Sequence, residues 1–285
     1  MSAKPSSLLP LLGLFALVLA AAAPSTSAPP ATEAPALPPA SASAAAPPAP
    51  AAGDFATSWP PLAAELDRSV VEGDGAGLRR ALDACRGWRE AAPGAQRALV
   101  HYAAAYGAYR LSFRPEVQPA ERDALLEEAV KDLKESLRLD PHSGDAGALL
   151  AGVYGAQIAA APARGMSLGP QIATTLRQAL AAEPDNPRVV LQDGLNAFHT
   201  PAAYGGSVEK AEASIRRAIT LFEKEPASKP WPNWGRFDAH VWLGQVLLKK
   251  GDRVGAKHEF EVALALEPRS QWVRSKLLPQ AEGGR

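Results

Sequence analysis

The chain has 285 residues, with 30 basic and 30 acidic side chains and a formal net charge of zero. Its only basic clusters are pairs such as Arg216-Arg217 and Lys249-Lys250, and without a basic stripe there is no electrostatic footprint for nucleic acid. A single cysteine, Cys85, excludes an intrachain disulfide, so packing alone must hold the fold.

Residues 1–23 read as a signal peptide. Lys4 precedes LLPLLGLFALVLAAAA, an apolar run interrupted by Pro10 and fading into alanine. A spanning helix needs about twenty apolar residues, whereas small side chains after a short apolar stretch suit signal peptidase. The prediction is export to a periplasmic or secreted location, with membrane contact only if the segment stays uncleaved. Residues 24–53 are almost wholly Pro, Ala and Ser. Such a segment buries too little apolar surface to offset its ordering entropy, which predicts a disordered or extended linker.

Residues 54–285 predict a helical-repeat domain long enough to bury a sizeable core. The stretch PLAAELDRSVVEGDGAGLRRALDACRGW reads as a degenerate first hairpin turning at Gly73-Asp74-Gly75, with Cys85 as a buried small hydrophobe. In ERDALLEEAVKDLKESLRLDP, Leu126, Ala129, Val130, Leu133 and Leu137 make one apolar stripe that Pro141 ends. ALLAGVYGAQIAA, around Gly152, then leads QIATTLRQALAAEP, and RVVLQDGLNAF, around Gly194, leads VEKAEASIRRAITLFEKEP.

The clearest repeat occupies residues 237–268. Leu243, Gly244, Leu247, Ala256, Phe260, Ala263 and Pro268 fall at tetratricopeptide spacings. Gly244 and Ala256 let two antiparallel helices approach, the larger side chains fill the contact, and Pro268 stops the second helix. His240 stands where a bulky apolar residue is expected. With SQWVRSKLL as a closing helix, the fold class is an all-α, TPR-like α-hairpin solenoid of about five helix pairs.

Departures from a repeat are where function is added. GMSLGP (165–170) and HTPAAYGGS (199–207) lengthen the links between first and second helices of adjacent pairs. Such links project from one edge of a solenoid, so the two segments are expected as neighbouring loops, with Pro170 opening the next helix. GMSLG also spells the G-x-S-x-G of a hydrolase nucleophile elbow around Ser167, but an elbow needs a strand before its serine and none is predicted. Gly205 and Gly206 before Ser207 could place amides at a helix start as an anion site, but the favoured reading is a helix-entry turn, which needs no ligand. The five histidines show no paired ligand spacing, and no catalytic, cofactor-binding or metal residues are assigned.

Trp231 and Trp234 lie in the long connection before the last hairpin, expected on the edge opposite the glycine segments. Exposed, they would anchor a peptide; packed, they would tie the connection to that hairpin.

The stretches GMSLGP, EPDNPRV, HTPAAYGGSVEKA, WLGQVLLKKGD, FEVALALEP and WVRSKLLP together resemble a poorly characterised group of exported bacterial tetratricopeptide-repeat proteins over residues 145–278. The resemblance implies an α-hairpin fold and an envelope location, and it carries no catalytic residue. The functional expectation is a non-enzymatic, extracytoplasmic scaffold without cofactors. Its helical-repeat surface would bind a protein or peptide partner in the cell envelope. The alternative is a small-molecule-binding envelope component similar to the helical-repeat subunits of solute transporters; a serine hydrolase ranks third. Candidate binding residues are Met166, Ser167, His199, Tyr204, Gly205, Gly206, Trp231 and Trp234.

Overall fold

The computed structural model describes residues 54–94, 96–226 and 231–283. The signal-peptide and linker readings, residues 1–23 and 24–53, fall outside the described residues.

Among the described residues there are eleven α-helices and no strand. α1 (Phe55–Glu72) pairs with α2 (Gly75–Ala91), α3 (Gln96–Ser112) with α4 (Pro119–Leu139), and α5 (Gly144–Ala160) with α6 (Gly165–Ala182). α7 (Pro187–His199) pairs with α8 (Val208–Lys224), and α9 (Arg236–Lys250) with α10 (Arg253–Leu266). A π-helical stretch, Val273–Leu277, then runs into α11 (Leu278–Ala281), which covers α10. The described residues therefore form an all-α, TPR-like solenoid of five hairpins and a closing segment.

Short polar residues set the helix starts. The side chains of Asp54, Asp74, Ser143, Asn186, Ser207 and Asp252 each accept a backbone N–H from the first turn of the helix that follows. Each cap contributes about 1 kcal/mol. In the last hairpin Leu243, Gly244, Leu247, Ala256, Phe260 and Ala263 are all buried. A methyl group on Gly244 would overlap the Phe260 ring, so glycine at this position sets how closely α9 and α10 approach. His240 bonds Glu259 across the same pair at 2.7 Å, a polar contact where the repeat pattern calls for apolar bulk.

The stack curves in one direction. First helices of successive pairs touch one another, α1 with α3, α3 with α5, α5 with α7 and α7 with α9, whereas α2, α4, α6 and α8 make their substantial contacts only with flanking first helices. A row in contact beside a row splayed apart puts the first helices on the concave face. One apolar core runs from Leu66 of α1 to Leu176 of α6, and a second from Val190 of α7 to Ala281 of α11. Ala148, Ala179 and Val189 join α5, α6 and α7 where the two meet.

Three local features depart from the sequence reading. α6 begins at Gly165, so GMSLGP forms the first turns of a helix, not an inserted loop, and Pro170 lies inside it. Two glycines there cost about 1 kcal/mol each, offset by Leu168 and Ile172, which pack on the N-terminal core. Gly152 does not face α6; its nearest side chain is Gln192 of α7, while Gly147 meets Ala179 of α6. Finally, α3 is buried without interruption from Val100 to Ala108. A helix buried all round has no apolar stripe, so spacing carries no signal of it.

Candidate functional site

The link between α8 and α9 does not stay on the edge of the solenoid. Its described end, Trp231 to Gly235, crosses the concave face and reaches the first two hairpins. The Trp231 ring meets Trp59 of α1 edge-on at 5.7 Å and Tyr102 and Tyr106 of α3 at 5.2 and 5.6 Å. Trp234 stacks beside Tyr106 at 6.3 Å. The tryptophans are thus packed, but against α1 and α3 rather than the last hairpin, because curvature brings those helices under the connection.

Polar groups from several helices fasten this strap. Trp231 Nε1 donates to Asp67 Oδ1 at 2.9 Å, and Asn233 Nδ2 donates to Asp67 Oδ2 at 3.1 Å. Trp234 Nε1 donates to the Tyr102 hydroxyl at 2.5 Å. From α7, Arg188 donates to the Pro232 carbonyl at 2.8 Å and to Glu225 at 2.8 Å, with Asp145 of α5 at 3.8 Å. Its guanidinium also lies over the Phe222 and Trp234 rings, at 5.3 and 5.7 Å. Gly235 leaves the strap at φ +110°, where a side chain would press on the Phe222 ring, so no other residue turns there without strain.

The electrostatics follow from burial. Desolvation raises the Asp67 carboxyl above its usual value, although the Trp231 and Asn233 hydrogen bonds and the charges of Arg188 and Arg110 oppose it. Arg188 is only 1% exposed; burial alone would lower its pKa, but Glu225, Asp145 and Tyr102 leave it raised. Beside the strap, Arg110 of α3 stands 3.6 Å from Asp238 of α9. Glu267, just past α10, is pushed up to about 7 by burial, with Asp238 raising it further and Arg110 opposing. These pairs, and Arg269 at 4.0 Å from Glu72, bring the last hairpin against the first two.

The remaining predicted residues lie at the links within pairs. Met166 and Tyr204 are 81% and 70% exposed. Ser167 is exposed in the first turn of α6 and donates to the Arg164 carbonyl at 3.0 Å, so helix, not strand, surrounds it. His199 ends α7 with its ring against Phe198 and Trp242, each at 5.0 Å. Ala202–Tyr204 form a single 3-10 turn. The Gly205 amide donates to Ala202, the Gly206 amide to Pro201 and the Ser207 amide to Ala197, so all three are engaged by the turn itself. A side chain on Gly206 would collide with the Thr200 carbonyl. No packing contact like that between adjacent helices joins the Tyr204 turn to α6, so the two glycine segments share an edge without forming one cluster.

Two modest openings flank these features. One of about 210 Å³ lies between α2 and α4, among Arg79, Arg86, Glu121 and Glu128. Another of about 370 Å³ runs along Pro170, Gln171, Thr174 and Thr175 of α6. Arg86 and Arg89 both bond Glu128, Arg89 also bonds Asp132, and His101 meets Asp132 at 2.8 Å. This ladder ties α2, α3 and α4 together. Cys85 is fully buried and its thiol is pushed up to about 12, far from nucleophilic at neutral pH. Among the described residues no group of three or more His, Cys, Asp or Glu could hold a metal ion, and no helix is long and apolar enough to cross a membrane.

No protein-family model matches the chain, and no curated protein matches it. Solved structures share its architecture. The HusA haemophore from Porphyromonas gingivalis is similar with a TM-score of 0.56 and 24% identity, over 69% of this chain and 94% of its own. A thermophilic TPR protein from Thermus thermophilus is similar with a TM-score of 0.49 and 18% identity, over 77% of this chain and 98% of its own. At these identities the likeness concerns the fold alone.

Sequence reasoning singled out Trp231 and Trp234 but not what they touch. Asp67, Tyr102 and Arg188 were missed. The sequence offered little signal for them: Arg188 opens RVVLQDGLNAF in the first turn of α7, where an arginine ordinarily reaches solvent.

Proposed function

We propose that the protein is a non-catalytic, extracytoplasmic scaffold that binds a protein partner through the edge carrying Met166 and Tyr204. The observation behind this reading is the division of the surface: the strap covers the concave face, whereas these two large apolar side chains stand almost free on an adjoining edge. A side chain that exposed gains free energy when a partner covers it, about 25 cal/mol per Å² of apolar area. Ser167 lies in the first turn of a helix, not after a strand, which removes the nucleophile-elbow reading of GMSLG. Export rests on the character of residues 1–23, and the envelope is accordingly where the partner is sought.

The test is cross-linking capture from an envelope fraction, using the full chain beside a Met166→Ala/Tyr204→Ala variant. Capture lost in a variant with unchanged circular dichroism supports the edge. Equal capture by both chains removes it.

A second reading, a small-molecule binder, has one observation in its favour. The half-buried rings of Phe198, His199 and Trp242 cluster under Lys249, whose ammonium lies 4.8 Å from the Phe198 ring. Haem, by analogy with the haemophore of similar fold, is the first probe. Saturable quenching of tryptophan fluorescence that disappears in Trp242→Ala would favour this reading over the protein-partner one.

A further inference from the structure

The strap meets the concave face through chemistry that a separate peptide could supply. Asp67 accepts two hydrogen bonds from the strap, one from Trp231 and one from Asn233. Tyr102, buried in α3, receives the Trp234 indole. Arg188, buried in α7, reaches a main-chain carbonyl of the strap at Pro232. Three helices thus aim an acceptor carboxylate, a hydroxyl and a guanidinium at the same strip of surface, with the rings of Trp59 and Tyr106 between them. Polar groups turned toward an apolar strip are costly when left without partners, so this face is constructed around an occupant. The occupant has a definite pattern: two indoles three residues apart, with a proline carbonyl between them and a small turn residue, Gly235, behind.

We infer that the concave face is a peptide groove held closed by the chain's own Trp231–Gly235 segment, and that it takes in trans a partner peptide of the same Trp-Pro-x-Trp pattern. The groove recognises indole N–H donors through Asp67 and Tyr102, and one backbone carbonyl through Arg188. It is distinct from the Met166 and Tyr204 edge and does not depend on it. Because the resident segment is covalently attached, it competes at an effective concentration on the order of millimolar. Binding in trans is therefore weak until the strap is loosened.

The experiment titrates a fluorescein-labelled heptapeptide, Lys-Pro-Trp-Pro-Asn-Trp-Gly, which copies residues 229–235, and follows anisotropy. The full chain is compared with Trp231→Ala/Trp234→Ala, which vacates the seat, and with Asn233→Asp, which sets a second carboxylate beside Asp67. Asn233 is exposed, so the latter substitution loosens the strap without removing apolar burial and keeps the test open if the double variant does not fold. Saturable binding at least about tenfold tighter to either folded variant than to the full chain is expected. That binding should disappear when Asp67→Ala is added or when both peptide tryptophans are alanine, and should be unaffected by Met166→Ala/Tyr204→Ala. Equal affinity for all chains, or no binding to either folded variant, overturns the inference without touching the edge reading.

Discussion

Trp234 donates its indole N–H to the Tyr102 hydroxyl at 2.5 Å, across 132 residues of sequence. The bond joins the entrance of the last hairpin to the first helix of the second, so the stability of the N-terminal pairs depends on a segment made much later. Trp234→Ala should destabilise the chain by about 3–5 kcal/mol, the range for removing a packed tryptophan. Tyr102→Phe, which removes only the hydroxyl, should cost about 1 kcal/mol. Urea denaturation of the single and double variants measures both values and their coupling. Strict additivity would mean that the hydrogen bond contributes nothing.

Arg188 is the largest of the fully buried side chains, and it holds Glu225 and the Pro232 carbonyl together. Arg188→Ala removes the guanidinium that Glu225, Asp145 and the Pro232 carbonyl share and should cost about 3–5 kcal/mol. Arg188→Lys keeps the charge but not the forked geometry, so it should recover only part of that loss. Thermal melts of the two variants distinguish these outcomes, since full recovery by lysine would make charge, not geometry, the requirement.

Gly244→Ala tests the closest helix contact. The added methyl group must displace the Phe260 ring, and overpacking of this kind typically costs about 1–3 kcal/mol. Gly244→Ala/Phe260→Leu, which makes room, should recover part of the loss. The midpoint of urea unfolding reports both.

Glu267 makes stability depend on pH. Its folded pKa, about 7, lies above the ordinary 4.5, so the folded chain binds more protons than the unfolded chain between these values. Its favourable contribution is full below about pH 4.5 and is lost as pH rises through 7. The charged groups that act on it are Arg110 of α3, which opposes the rise, and Asp238 of α9, which adds to it. Glu267→Gln should therefore flatten the decline and raise stability at pH 8 by about 1–2 kcal/mol, after discounting for partial solvent access. Melting temperatures between pH 4.5 and 8 are the check, and an unchanged profile would exclude Glu267 as its source.

Met166→Ser and Tyr204→Ser should each leave stability within about 0.5 kcal/mol of the parent, as substitutions on open surface do. Both side chains are mostly free of neighbours. A larger loss in thermal melts would mean that the edge is packed in solution, leaving less of it for a partner.

Much of the fold was legible because hairpin packing is local. Ala211, Ile215 and Ala218 are buried at the spacing of Ala256, Phe260 and Ala263. GMSLGP was misread because Gly165 and Pro170 argue against a helix in isolation, while Leu168 and Ile172 win by packing. The candidate site was half legible. Trp231 and Trp234 invite attention wherever they fall, but Asp67 precedes Trp231 by 164 residues and resembles any exposed helical carboxylate.

The sequence by itself determined that the described domain is helical, and how its last hairpin pairs, with Leu243, Gly244 and Leu247 of one helix buried with Ala256, Phe260 and Ala263 of the other. These follow from contacts between residues about one or two helix lengths apart. Only the tertiary structure decided that the concave face is covered. Curvature is the sum of small rotations between successive pairs, and no single pair encodes it. After several pairs those rotations bring α1 and α3 beneath a connection that, on local evidence, belonged to the opposite edge.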